Sequence, residues 1–219
     1  MRLSLSFKKT MEILSKLFGS EAKVKIMRLF LFNPDQPFSR NGIGARAKVP
    51  LSVVRHEVSL LRNMGMIKGK RFVVTLPVKR GKKIVIKRKK EGGWVLNPTF
   101  PYLPAIRNLL IDTVLIKHDD ILRRLNTVGK MKLIILAGTF IQDDDSRVDL
   151  LVVGDNIRFA ALEGAIRTVE SEIGKELRYA AFETADFHYR LGIYDKLVRD
   201  ILDYPHQKLL DRIGLSPAV

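Results

Sequence analysis

The stretch LSVVRHEVSLLRNMGMI, residues 51–67, decides how the first half of the chain folds. At 100° per residue, its polar side chains fall on one arc of about 120° and its apolar side chains on the opposite arc. The polar arc consists of Ser52, Arg55, His56, Ser59, Arg62 and Asn63. The apolar arc consists of Val53, Val54, Val58, Leu60, Leu61 and Met64. Glu57 also lies within this arc, and a basic partner such as Arg46 is the one explanation that the sequence offers for it. This pattern predicts an amphipathic helix from Ser52 to about Met64, which Gly65 ends in a left-handed cap.

Two more helices are predicted upstream of this stretch. Ser20 is a good N-cap for EAKVKIMRLFLF, residues 21–32, and Asn33-Pro34-Asp35 ends that helix. Ser39 is a second N-cap, which predicts a short helix over Arg40 to Ala47. Lys48-Val49-Pro50 then predicts a tight turn into the third helix.

Downstream, β-branched residues predict a hairpin. Phe72–Val78 and Lys83–Lys87 are the two strands, and Gly81 lies in the turn between them. A short third strand is predicted at Trp94–Leu96, after Gly92-Gly93. Three helices followed by a basic hairpin form the outline of a winged helix-turn-helix, which we assign to residues 1–98.

Positive charge is concentrated in the same half of the chain. The net charge is +16. Residues 1–98 contain 23 Lys and Arg against 5 Asp and Glu, a balance of +18, whereas residues 99–219 contain 16 against 18, a balance of −2. Between Lys68 and Lys90 there are 11 basic residues and no acidic ones. This distribution favours a polyanionic partner over a solubilising surface, because solubilising surfaces usually mix both signs.

The polar arc and the hairpin together predict a surface that binds duplex DNA. A helix of this kind lies in the major groove, where Arg pairs with guanine and Asn with adenine. The alternative for the helix alone is a polar face that is only solvated, and His56 is expected to be a surface residue rather than a metal ligand. The predicted DNA-binding residues are Ser52, Arg55, His56, Ser59, Arg62 and Asn63 on the helix, and Lys79, Arg80, Lys82, Lys83, Lys87 and Arg88 on the hairpin. Lys89 and Lys90, which follow Lys87 and Arg88, are also expected to contact phosphates at the base of the wing.

The second half predicts a different architecture. Asn97-Pro98 marks the boundary, and residues 99–129 are interpreted as a helical linker with helices at about 105–117 and 119–125. An α/β domain is expected over residues 130–219, so the fold class is α+β. Its predicted elements are strands at 132–137, 148–153 and 177–182 and helices at about 156–173 and 185–204. The last helix has an apolar stripe expected to pack on the sheet, namely Phe187, Leu191, Tyr194, Leu197, Val198, Ile201 and Leu202.

One motif in this half resembles a nucleotidyltransferase-fold domain. Gly138-Thr139 follows one strand, and Asp149 lies in VDLLVVGD, residues 148–155. The family places Gly-Ser after a strand and Asp-x-Asp at the next, where the carboxylates hold two magnesium ions. Here Thr139 replaces the serine and Arg147 replaces the first aspartate. The third carboxylate is missing from the later strand, and Glu183 comes only at its end. The resemblance therefore implies a vestigial site without metal, cofactor or catalysis.

A wider resemblance covers the whole chain. LFGSEAKVKIMRLFLFNPDQPF at 17–38, SxxRxExxxLxxMGxI from Ser52 to Ile67, and the tail HYRLGIYDKLVRDILDYPHQKLL at 188–210 are its segments. Together they resemble bacterial winged-helix regulators fused to a nucleotidyltransferase-like domain. This resemblance implies a transcriptional regulator that binds double-stranded DNA. The second domain would sense a small ligand, form a homodimer, or do both.

Two other functions stay open at this point. The basic half suits an RNA-binding or ribosome-associated protein, and an active nucleotidyltransferase is the weaker alternative. The chain has no cysteine, which fits a reducing cytoplasm. A membrane partner is not expected, because Lys8 and Lys9 interrupt the N-terminal apolar pattern and the apolar stretch around Leu133–Ala137 is too short to span a bilayer.

Overall fold

The computed structural model describes residues 7–80, 83–112, 118–143 and 145–215, without the side chains at 7–10, 76–80, 83–85, 112, 118 and 119. The described chain is mixed α+β and contains two separate sheets. It divides into two compact units. The first unit consists of Lys8–Val114 with Glu170–Lys175, and the second contains Leu115–Val169 and Glu176–Val219.

The first unit begins with four helices and a long hairpin. They are α1 Phe7–Phe18, α2 Glu21–Phe32, α3 Arg40–Ala47, α4 Leu51–Asn63, β1 Ile67–Arg80 and β2 Lys83–Leu96. The hydroxyl of Ser20 accepts a hydrogen bond from the Lys23 backbone N–H (3.0 Å), and that of Ser39 accepts one from Gly42 (3.2 Å). Both predicted N-caps are therefore confirmed.

The predicted turn and the end of the third helix are also confirmed. Lys48 adopts a left-handed conformation (φ 52°) between α3 and α4, and Gly65 (φ 80°) follows the end of α4. The helix begins at Leu51, one residue earlier than predicted, with Pro50 before it and no side-chain cap. Proline at this point fixes φ close to the helical value, which favours the earlier start.

The sequence did not predict helix α1. Its buried residues Met11 and Leu14, with the half-buried Phe18, follow helical spacing and pack into the core of the first unit. The other members of that core come from α2, α3, α4 and the base of the hairpin. They include Val24, Phe30, Ile43, Val54, Val58, Leu61, Ile67 and Leu96.

Strands β1 and β2 form one long two-stranded antiparallel ribbon. Its register runs without a shift from Ile67 opposite Leu96 to Arg80 opposite Lys83. The prediction of a separate third strand at Trp94–Leu96 is wrong, because these residues are the end of β2. The two glycines before them suggested a break, but the strand continues through Gly92 and Gly93.

A backbone contact at the base of the ribbon explains one of these glycines. Phe38, between α2 and α3, exchanges two backbone hydrogen bonds of 2.9 Å with Trp94. A Cβ at Gly93 would lie 2.2 Å from the carbonyl oxygen of Phe38. Only glycine allows this close approach of the two backbones.

Arg28 of α2 is completely buried in the first unit. Its Nε donates to the carbonyl of Leu110 and its Nη1 to the carbonyl of Glu172, each at 3.0 Å. Burial lowers the pKa of Arg28 to about 10, although the Glu172 carboxylate acts in the opposite direction. The buried guanidinium thus obtains hydrogen-bond acceptors from two backbone carbonyls.

The segment between the two sheets is helical where it is described. It contains α5 Leu103–Arg107, a π-helical turn at Asn108–Asp112 and α6 His118–Leu125. The predicted helix at 105–117 thus begins two residues earlier and changes its winding at Asn108, and its last five residues lie outside the description. The predicted helix at 119–125 is confirmed to within one residue.

The second unit contains a four-stranded mixed sheet with helices. Its elements are β3 Lys130–Leu136, β4 Leu150–Asp155, α7 Phe159–Ile173, β5 Tyr179–Glu183, α8 Thr184–Gly192, α9 Lys196–Asp203 and β6 Gln207–Asp211. The strand order is β5-β4-β3-β6, with β4 parallel to β5 and the other pairs antiparallel. The three predicted strands are confirmed with bounds shifted by one or two residues. Strand β6 was not predicted.

The single closing helix predicted at 185–204 is wrong, because two helices occupy that stretch. Tyr194 adopts a left-handed conformation (φ 57°), and Asp195 caps α9 by accepting from the backbone N–H groups of Leu197 and Val198. Phe187, Val198 and Ile201 are buried in the core, as predicted, but Tyr194 is 74% exposed. The break between the helices turns Tyr194 out of the apolar stripe.

A search of the described helices for a membrane span found none of sufficient length and apolar character.

Candidate nucleic-acid interface

Helix α4 presents its polar arc to solvent. Val54, Val58 and Leu61 are buried on its opposite side and fix the rotation of the helix. Three of the predicted apolar positions are less buried, since Val53 and Leu60 are half-buried and Met64 is exposed. All the predicted polar positions are exposed: Ser52, Arg55, His56, Ser59, Arg62 and Asn63.

Glu57 has partners that the sequence did not indicate. It is 4% exposed, and its Oε1 accepts a hydrogen bond from the hydroxyl of Ser20 (2.5 Å). The ammonium of Lys23 lies 3.6 Å from its Oε2. Glu57 therefore connects the middle of α4 to the first turn of α2. The pairing joins positions 37 residues apart, so no local pattern could reveal it.

The ribbon has two exposed basic faces. In an antiparallel pair, directly opposed residues share a face, and successive residues alternate between faces. The register places Arg71, Arg88 and Lys90 on one face, here called the arginine face. The opposite side, here called the lysine face, carries Lys68, Lys70, Lys87 and Lys89. All seven side chains are exposed.

Of this group, the sequence had named Lys87, Arg88, Lys89 and Lys90 as residues that contact phosphates. Lys68, Lys70 and Arg71 were missed because β1 was expected to begin at Phe72. The signal was present, since the basic run starts at Lys68. Strand β1 extends to Ile67, and its first residues therefore belong to the ribbon.

The tip of the ribbon can be placed only in part. The predicted phosphate-binding residue Lys82 and the turn residue Gly81 lie outside the described residues. For Lys79, Arg80 and Lys83 the backbone is described, and Arg80 faces Lys83 at the last pair of the ladder. The predicted role of these four cations stays a prediction.

The basic side chains of α4 and of the two ribbon faces are exposed, and Glu91 is the acidic residue that shares the lysine face among the described residues of the ribbon. In the described parts of the chain, no ion pair involves Arg55, Arg62 or any of the seven cations on the two faces. Cations without internal partners remain able to exchange their counterions for phosphates. The arrangement can therefore bind a polyanion without first breaking internal contacts.

Asp149, the remaining carboxylate of the transferase-like motif, is fully buried and bonded. Its Oδ1 accepts from the backbone N–H of Thr139 and its Oδ2 from that of Arg178, both at 2.8 Å. Gly138 (φ 52°) allows this approach, because a Cβ there would lie 2.3 Å from Oδ1. The motif Gly138-Thr139…Asp149 is thus explained by one internal bonding arrangement.

The pKa of Asp149 reflects that arrangement. Burial raises it, but the hydrogen bonds from Thr139 and Arg178 outweigh burial, and the pKa lies below its usual value. The carboxylate is therefore ionised and already satisfied by backbone donors.

Arg147 and Glu183, the two other charged residues that were compared with the family motif, are also bonded within the fold. Arg147 Nε lies 2.8 Å from Asp200 Oδ2, so the residue in place of the first aspartate binds helix α9. The carboxylate of Glu183 accepts from the backbone N–H groups of Asn156 (3.1 Å) and Ile157 (2.9 Å). Among the described residues, no three His, Asp or Glu side chains form a group that could hold a metal ion.

In comparisons with known proteins, no family model matches the chain, and no curated protein and no solved structure is significantly similar to it. Any assignment of function therefore depends on the geometry of this chain.

Proposed function

We propose that the chain binds double-stranded DNA through the polar arc of α4 and the basic ribbon, and that it regulates transcription. The single observation that carries the proposal is the placement of Arg55, Arg62 and Asn63. These side chains lie exposed on one face of a helix whose opposite face is buried, and the helix leads through three residues into the ribbon.

The first unit supports a winged helix-turn-helix architecture. Helices α3 and α4 are joined by a three-residue turn, which suits a helix-turn-helix pair. The ribbon would be the wing, and Phe38 would supply its short third strand through the two bonds to Trp94. In this architecture α4 enters the major groove and the wing contacts the adjacent backbone.

The chemistry of α4 supports reading of bases. The guanidinium groups of Arg55 and Arg62 can donate two hydrogen bonds to guanine, and the amide of Asn63 can pair with adenine. The polar side chains of Ser52, His56 and Ser59 can contact phosphates or base edges from the same face. The seven exposed ribbon cations would supply affinity that is independent of sequence.

The second unit supports a binding rather than a catalytic role. Asp149 is bonded to two backbone N–H groups, and Arg147 is bonded to Asp200. Both oxygens of Asp149 already accept a backbone N–H and its side chain is fully buried, which disfavours a metal ion at this point. We therefore assign this unit to dimerisation or to sensing a small ligand, with the protein acting in the cytoplasm.

The proposal is tested by the binding of the full-length chain to a fluorescently labelled random duplex, measured by anisotropy. We expect binding at about 50 mM salt and a steep linear fall of log K with log salt. On a duplex that the chain has selected from a random pool, the replacement Arg55→Ala should cost about 1–3 kcal/mol of affinity, because a bidentate contact to a base is lost. Arg167→Ala, an exposed arginine of α7, is the matched control and should leave the affinity unchanged.

Absence of duplex binding at low salt, or equal effects of the two substitutions, would contradict the proposal. Competition between duplex DNA and a structured RNA distinguishes the proposed DNA binding from the RNA-binding alternative. A helix that reads the major groove should prefer B-form DNA, since the deep major groove of A-form RNA excludes it.

A further inference from the structure

The ribbon carries its cations on both faces, and a single contact surface does not require this. The register has no bulge between Ile67 and Arg80, so the two faces keep their identity along its whole length. Side chains on the two faces of a β-ribbon point in opposite directions. A duplex lying against one face therefore leaves the cations of the other face in solvent.

The two faces carry the same net charge where side chains are described. The arginine face has three cations, Arg71, Arg88 and Lys90. The lysine face has four, Lys68, Lys70, Lys87 and Lys89, and Glu91 reduces its balance to +3. Over the described side chains, each face thus offers a separate attraction of the same net charge for a polyanion.

The length of the ribbon makes the two faces accessible. Fourteen residues in each strand extend about 46 Å at the usual rise per residue. Among the described residues of the ribbon, Gly93 and Val95 are buried and Phe72, Val74, Glu91 and Trp94 are half-buried, whereas residues 68–71 and 86–90 are exposed. Lys68 and Lys70 lie opposite the buried Val95 and Gly93, and the cations at 87–90 lie further along the ribbon.

We propose that the ribbon holds two nucleic-acid segments at once, one against the arginine face and one against the lysine face. This inference rests on the proposed function, in which α4 occupies the major groove of one duplex. One face of the ribbon then contacts the backbone of that duplex. The opposite face binds the phosphates of a second duplex, so the protein brings two segments together.

The charge pattern distinguishes this arrangement from a solubilising surface. Solubilising surfaces intersperse both signs, whereas Glu91 is the single acidic residue among the described residues of the ribbon. Salt dependence gives a second distinction, because each phosphate contact adds about one unit to the slope of log K against log salt.

The experiment measures bridging of two duplexes by the full-length chain. One duplex is attached to beads, a second duplex with a fluorescent label is added in solution, and the label retained on the beads is counted. The masses of the soluble complexes give the number of chains and duplexes in each. Two matched variants each remove three exposed cations: Arg71→Thr with Arg88→Thr and Lys90→Thr, and Lys70→Thr with Lys87→Thr and Lys89→Thr.

We expect one chain with two duplexes, and a loss of bridging of at least ten-fold in both variants. Affinity for a single duplex should fall at least ten-fold in one variant and stay within two-fold in the other, because only one face contacts the duplex that α4 binds. Far-UV circular dichroism and thermal unfolding check that both variants are folded.

Other results would overturn the inference. Single-duplex binding without bridging would refute it and leave the proposed function intact. Bridging only by complexes of two chains with two duplexes would assign the effect to a dimer. Equal losses of single-duplex affinity in the two variants would show that both faces line one groove. Failure of the wild-type chain to bind any duplex would instead refute the proposed function, and this inference with it.

Discussion

Helix α4 with the ribbon and the Gly138–Asp149 motif use charged side chains in opposite ways. On α4 and at residues 68–71 and 86–90 of the ribbon, the cations are exposed and have no ion-pair partner among the described residues. At the motif, Asp149 is buried and bonded to Thr139 and Arg178, and Arg147 is bonded to Asp200. The first region leaves its cations exposed to solvent, whereas the second uses its charged side chains in contacts within its own fold.

This difference teaches that the type and spacing of residues do not by themselves identify a site. The motif contains a glycine and an aspartate that resemble those of a catalytic family, yet both oxygens of the aspartate accept hydrogen bonds from within the fold. The ribbon contains a simple basic run, yet its side chains remain accessible. Accessibility and partners therefore separate a binding surface from a structural element.

The largest effect is expected at Asp149. Asp149→Asn should lower the free energy of unfolding by about 3 kcal/mol, because the amide nitrogen would face a buried backbone N–H. Chemical denaturation checks this value. Asp145→Asn, at an exposed position of the preceding loop, is the control and should change it by less than about 0.5 kcal/mol.

The same carboxylate should give a pH dependence. Its lowered pKa means that the unfolded chain binds this proton more readily than the folded chain does. The stabilisation is present above the unfolded pKa of about 4 and is lost as the pH falls through the lower folded pKa. The wild-type chain should therefore lose its advantage over Asp149→Asn below about pH 4. A constant difference down to pH 2 would show that Asp149 is not a buried carboxylate bonded in this way.

A smaller effect is expected at Glu57, the buried carboxylate of the first region. Glu57→Gln keeps an acceptor for the Ser20 hydroxyl but removes the ion pair with Lys23, so unfolding should become easier by about 1 kcal/mol. Glu163→Gln, which removes an exposed pair on α7, should change less. If Glu57→Gln lowered the free energy of unfolding more than Asp149→Asn does, the first region would depend more on its buried charge than the second, contrary to the comparison above.

The smallest effect is expected at Arg147. The side chain of Arg147 is 58% exposed and that of Asp200 is 19% exposed, and an ion pair open to solvent on one side contributes at most about 1 kcal/mol. Arg147→Ala should change the free energy of unfolding by less than about 0.5 kcal/mol and leave duplex affinity unaltered. Reduced duplex affinity in this variant would extend the binding surface into the second region and weaken the comparison.

Local sequence patterns predicted much of the first unit, which contains this region. The N-caps Ser20 and Ser39, the left-handed Gly65 and the exposed polar arc of α4 follow from residue type and helical period, and the structure confirms them. The ribbon was found but was too short in the prediction, since Gly92 and Gly93 suggested a strand end. The cause of Gly93 is a contact with Phe38, which is distant in sequence.

Contacts between residues distant in sequence explain the remaining differences between the predictions and the structure. The partners of Glu57 lie 37 and 34 residues away, and the donors of Asp149 include the backbone of Arg178. Strand β6 pairs with β3 across more than 70 residues, and its sequence has little alternation. A break at Tyr194 within an apolar stripe is equally invisible to a helical period.

Gly93 has a consequence for how the hairpin can vary in length. Phe38 fixes β2 at one point of the chain, so insertions near the base would displace that contact. Beyond it, residues added in pairs to both strands would lengthen the arm without turning any side chain over. A single residue added to one strand would instead move every side chain beyond it in that strand to the opposite face. The reach of the arm can therefore change in steps of two residues per strand, about 7 Å each, while its chemistry on either side is preserved.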